Sequence, residues 1–237
     1  MSDSLSGKLN VLDGEMSKAA FRSVKADSPF NLTLTQAKDI GEVMGCDFFL
    51  LVRTGTLRRS SFAKDEYYES FATVFFVNAR SGRLVNWELK TFEADSIIES
   101  ERLLFTSTQI FADEIVGRIK AFIKTAANIS NSIEEVSTAE SAASKDFRSP
   151  MPYKRIKPEY TRAAYLYDIR ATVDVTVDID QEGKIAAVEI ARWAGFDLDE
   201  SVIEAVRKMN WRPAYRNGKA LPMRVLLRYN FIKIEKE

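Results

Sequence analysis

Three carboxylates at two-residue steps, Asp178, Asp180 and Glu182, are the residues whose type and spacing most resemble a site for a hard cation. They are read here as turn chemistry, with the nearby glycine and the distant glutamate taken as misplaced for a helix–loop–helix calcium site. Two carboxylate pairs, Glu134-Glu135 and Asp197 with Asp199, have the residue types of a glycoside hydrolase. The first falls in a Ser/Ala-rich stretch, and the second is placed to cap a helix.

The rest of the chemical inventory is thin. The chain of 237 residues has no histidine and one cysteine. Imidazole acid–base catalysis, a Cys/His zinc site and an intramolecular disulfide are thereby excluded. Cys46, in Gly45-Cys-Asp-Phe-Phe-Leu-Leu-Val52, reads as a small apolar residue at the start of a buried strand, with no activating partner in the sequence. Glycine-rich phosphate loops are missing, so the expectation is a protein that is not an enzyme and carries no metal or cofactor. Arg53, Arg58, Arg59 and Lys64 interleave with Phe62, Tyr67 and Tyr68. Asp65, Glu66 and Glu69 balance them, so this reads as a solvated hairpin tip rather than a nucleic-acid surface. Lys plus Arg and Asp plus Glu are both 34, and no overall field points to a polyanion. No apolar run is long enough to span a membrane.

Function must then reside in the elements. Val173, Val175, Val177 and Ile179 alternate with Thr172, Asp174, Thr176 and Asp178, as in a half-buried strand. Asp180-Gln-Glu-Gly183 turns the chain into a second apolar run, Ile185 to Ile190. Asp197, with Glu200 three residues on, has the pattern of a capping box. Leu198, Val202, Ile203, Val206 and Met209 form one helical stripe that ends by Pro213. Asn217-Gly218 leads into a last strand in which Met223, Val225, Leu227, Tyr229 and Phe231 alternate. A ββαβ sheet of this kind has an uncovered edge, and exposed edges invite an added strand from a target peptide or a second copy.

The order of Tyr153, Pro158-Glu-Tyr160, the Asp-Gln-Glu-Gly turn, Val188-Glu-Ile190, the 197–209 helix, Trp211-Arg-Pro-Ala214 and Asn217-Gly-Lys219 resembles the TonB C-terminal family. That resemblance implies a periplasmic or cell-envelope module that captures an extended segment of an outer-membrane transporter, or of another envelope protein, by strand addition. The presenting edge it implies is Met223, Arg224, Val225, Leu226, Leu227, Arg228, Tyr229, Asn230 and Phe231. The alternative is self-association through the same edge, giving a homodimer.

Residues 8–124 read as an α/β domain with a mixed sheet: a run at Leu9–Leu12, a helix capped by Asp13, and a helix with a Thr33-Leu-Thr-Gln36 capping box. Phe48–Val52 follows as a central strand, then Tyr67–Val77, Leu84 to Phe92, and a helix capped by Asp95 that runs to Lys124. Gly45-Cys-Asp-Phe-Phe, Tyr67–Val77 and Asn78-Ala-Arg-Ser-Gly82 are similar to the envelope-lipoprotein domain of the curli secretion protein CsgG and related assembly proteins. The domain reading is 1–124, a linker at 125–149, and 150–237. Met1-Ser-Asp-Ser-Leu-Ser is no signal peptide, and the expectation is that a leader, with a first strand, lies upstream.

Overall fold

The computed structural model describes residues 10–12, 14–25, 28–126 and 147–233. Asp13, the Leu9 end of the first apolar run and nearly all of the 125–149 linker with Glu134-Glu135 lie outside the described residues. Packing divides the described chain into two units. One draws on Met1–Lys25, Lys38–Arg80 and Leu84–Ser132, and the other on Ala26–Ala37, Ser81–Arg83 and Ile133–Glu237.

The N-terminal unit is built on a meander of β1 (Phe48–Ser61), β2 (Lys64–Asn78) and β3 (Leu84–Ala94). Both pairings among the described residues are antiparallel, where a mixed sheet was expected. The physical reason lies in the connections: short turns join successive strands, whereas a parallel neighbour needs a long crossover. The central strand is also not the one expected. Among the described residues Phe48–Val52 opens an edge strand whose Val52 is 43% exposed, while Ser70 to Val77 of β2 are buried without a break. Continuous apolar character marked the wrong neighbour, because the burial of β1 comes from helices on both faces and not from strands on both sides.

One sheet face packs Ala72, Val74 and Phe76 against Phe111, Ile115 and Ile119, with Phe48 and Phe122 closing the cluster. The latter residues belong to α4 (Thr108–Ala126), which follows α3 (Ile97–Thr106) after a break at Ser107. Two helices thus replace the single one expected, and Ser96, not Asp95, is the N-cap: its hydroxyl accepts from the Glu99 N–H at 3.2 Å. Asp95 instead pairs with Lys64. On the other face Phe21 of α1 (Gly14–Ser23) meets Phe49 edge-on. The capping box of α2 (Leu34–Met44) forms as read: Gln36 N–H donates to Thr33 Oγ1 and Thr33 N–H to Gln36 Oε1.

The C-terminal unit contains β4 (Phe147–Arg148), β5 (Met151–Pro152), α5 (Arg162–Leu166), β6 (Ala171–Ile179), β7 (Ile185–Arg192) and α6 (Leu198–Arg207). After these come β8 (Trp211–Arg212), β9 (Ala214–Arg216), β10 (Lys219–Leu221) and β11 (Met223–Phe231). Its main sheet has the order β11-β6-β7, antiparallel throughout. Helix α6 lies against β6 and β7, burying Leu198, Val202 and Val206 with Val173, Val175, Val177 and Ile179. This is the ββαβ arrangement read from the sequence, with two further pieces: a β10-β9-β4 sheet and a β5-β8 pair.

Candidate binding edge

Strand β11 pairs residue for residue with β6, from Met223 opposite Ile179 to Phe231 opposite Ala171. Among the described residues no strand pairs with its other side. The opposite edge, β7, is closed at one end by a bridge from Thr33 to Arg192 and by the Trp193 N–H donating to the Leu32 carbonyl. The nine residues expected as a presenting edge therefore form one unbroken edge strand.

Its two faces differ. Leu227 and Phe231 are buried, and Phe231 stacks on Tyr160. Tyr229, on the same face, has its hydroxyl buried with no hydrogen-bond partner among the described residues; burial raises its pKa, and Arg155 opposes the rise. The other face carries Arg224, Leu226, Arg228 and Asn230. Arg224 grips Asp178 with two bonds, Nε to Oδ1 at 2.6 Å and Nη2 to Oδ2 at 2.7 Å. Arg228 grips Asp174 in the same way at 2.7 and 3.0 Å, and Arg192 of β7 adds a third bond at 3.2 Å. Burial alone would raise the Asp174 pKa, but the hydrogen bonds from Arg228 and Arg192 outweigh it and hold the carboxyl below its ordinary value. Asn230 accepts from the Thr172 hydroxyl.

These bonds have a directional consequence. Both arginines sit directly across from the aspartates they bind, so their guanidinium groups lie over β6. The long side chains of β11 are thus drawn inward from the open edge, and Leu226, at 58% exposure, remains beside it.

Counted from Asp178, Gly183 and Glu189 do stand at the sixth and twelfth positions of a calcium loop, contrary to the spacing read from the sequence. Geometry decides the matter instead. The segment is strand, turn and strand, and every carboxylate has another task. Asp178 holds Arg224, Asp180 Oδ1 accepts the Glu182 and Lys184 N–H groups, Glu182 lies 3.9 Å from the Lys184 ammonium, and Glu189 pairs with Arg83. No group of three or more His, Cys, Asp or Glu among the described residues could hold a metal ion.

The expected cap at α6 is corrected as well. Asp197 occupies the N-cap position at φ 59°, but its side chain makes no cap hydrogen bond. Phe196 and Gly195 before it are also left-handed, and such a loop cannot aim the Asp197 carboxylate at the first helical turn. Asp199 acts instead, pointing back to accept the Ala194 and Gly195 N–H groups at 2.8 to 3.2 Å. It is 6% exposed, and burial pushes its pKa up to about 7 against the opposing pull of those two backbone bonds.

Sequence reasoning missed Asn31. Its side chain donates to the Thr172 and Trp193 carbonyls and accepts the Thr172 N–H, joining residues 28–33 to the β6 and β7 ends. Trp193 likewise donates to the Gly82 carbonyl. Only the asparagine itself, a residue with two donors and an acceptor, hinted at such a bridge. The basic hairpin tip is placed as expected: Arg58 pairs with Glu66, Arg59 with Glu69 and Lys64 with Asp95, leaving Phe62 fully exposed.

An antiparallel ββαβ unit whose β11 edge no described strand pairs, with a short accessory sheet, defines the class of module. Residues 156–232 match the model of the family described as Gram-negative bacterial TonB protein C-terminal, which bears out the resemblance read from the sequence. Among solved structures, the solution NMR structure of the Pseudomonas aeruginosa TonB CTD is 24% identical. The match covers 43% of this chain and 99% of that chain, with a TM-score of 0.32. No curated protein matches the chain. No helix among the described residues is long and apolar enough to cross a membrane.

Proposed function

We propose that the C-terminal unit is a non-catalytic peptide-capture module of the cell envelope, which takes an extended segment of an outer-membrane transporter, or of another envelope protein, as a fourth strand beside β11. The observation that carries this reading is the nine-residue edge of β11, paired on one side and met by no described strand on the other, within a segment that matches the TonB C-terminal family. An open edge offers main-chain donors and acceptors to any extended chain, and alternate side-chain positions supply selectivity. The inward-drawn arginines keep that edge clear. The N-terminal unit serves as an assembly or docking accessory, in keeping with the CsgG-like pattern of residues 8–124.

Titrating the full chain with N-terminal peptides of outer-membrane transporters tests this. Saturable binding with NMR shifts concentrated at residues 223–231 is expected. A chain that ignores such peptides and instead doubles in mass with concentration would replace capture by self-pairing at the same edge.

A further inference from the structure

The N-terminal unit holds a cavity of about 550 Å³ beside β1, inside the range of about 300–1,000 Å³ typical of small-ligand sites. Its walls come from five elements: Phe21 of α1, Met44 of α2, Phe48, Leu50 and Val52 of β1, Phe76 of β2, and Ile119 of α4. Asn10 and Ser17 supply polar groups among them. Among the described lining residues Asp47 is the one charged side chain, and Arg80 already holds it, with Nε at 2.8 Å and Nη2 at 2.5 Å. Among the described lining residues no formal charge is left over for a ligand's counter-charge. The chain's single cysteine, Cys46, is half-buried in the same lining.

We propose that this cavity binds one uncharged, unbranched hydrocarbon chain, with its polar end toward Asn10 and Ser17. Long aliphatic and aromatic walls without an available charge suit a flexible apolar chain and reject an anionic or cationic head carried into the cavity. Each methylene added to a chain that is still entering should tighten binding about fourfold, until the cavity is full.

Cys46 gives a native reporter. Burial holds its thiol above the ordinary value, so alkylation is slow enough to time, and a single adduct can be counted by mass. The full chain is treated with N-ethylmaleimide in the presence of octanol, decanol or dodecanol. Displacement of N-phenyl-1-naphthylamine fluorescence is followed in parallel. Expected are at least tenfold slower alkylation at saturation, affinity rising with chain length, and no gain when decanoate or decylamine replaces decanol. Val52→Trp on β1 and Ser17→Leu on α1 each fill the cavity from a different element and should abolish displacement while the unfolding temperature holds. Two independent fillers keep the test decisive where one fails to fold. Alkylation indifferent to every alcohol would overturn the proposal. So would protection that follows protein concentration and a doubled mass, since a second copy would then be the occupant.

Discussion

At the scale of single residues, two aspartates of the C-terminal unit should respond to pH in opposite ways. The Asp199 carboxyl titrates near 7 in the folded protein, against an ordinary value of 3.8. The folded state therefore binds more protons than the unfolded one between these values. The stability this proton supplies is fully present below about pH 4 and is lost as pH rises through about 7. Asp199→Asn, which keeps an acceptor for Ala194 and Gly195 without the charge, should flatten that slope in urea unfolding followed at pH 4.5, 6 and 7.5. Asp174 behaves oppositely: its lowered pKa gives stability that is present above the ordinary carboxylate range and lost as pH falls through the folded value. Asp174→Ala should cost about 1–3 kcal/mol at pH 7. It should also free Arg228, whose side chain is 57% exposed, to swing toward the open edge. Urea midpoints at constant slope would measure the cost.

At the scale of elements, the β6–β7 hairpin depends on Gly183, which sits at φ 81°. A Cβ there would stand 2.3 Å from the Trp211 carbonyl oxygen, so the turn needs both the left-handed backbone and the missing side chain. Gly183→Ala should destabilise the C-terminal unit by about 2 kcal/mol or more, and the fluorescence of Trp193 and Trp211 would report the lower midpoint. This hairpin was legible in the sequence because period-two alternation and a turn signal are local. The Thr33 capping box and the Asn217-Gly218 turn were legible for the same reason: Asn217 and Gly218 lie at φ 51° and 77°. What was not legible required knowledge of neighbours. Phe48–Val52 reads as a central strand because helices cover both its faces, yet no strand among the described residues pairs with its lateral side. Asp197 and Asp199 cannot be ranked as caps until the left-handed run at 195–197 is known. Asn31 and Gly82 join β6 and β7 from more than a hundred residues away in sequence, and no pattern along the chain reports such a contact.

At the scale of the whole molecule, the nine residues expected to present an edge form a single edge strand, and its role as a docking strand is the central claim. The long cations that would otherwise overhang that edge are tied to Asp174 and Asp178, so access depends on the main chain rather than on charge. Peptide affinity should accordingly change little between low and moderate salt, within about threefold, because main-chain pairing is not screened as surface charge is. Calorimetric titration at two salt concentrations would show it. The most direct test is residue-resolved amide hydrogen exchange of the full chain with and without a saturating transporter N-terminal peptide. In a strand paired on one side, alternate amides of residues 223–231 already bond to β6 and exchange slowly, while those between them face solvent. Strand addition predicts that the peptide slows the fast, alternate set at least tenfold and leaves the other set nearly unchanged. Protection that falls elsewhere in the chain, or evenly on β11 without alternation, would contradict capture at this edge.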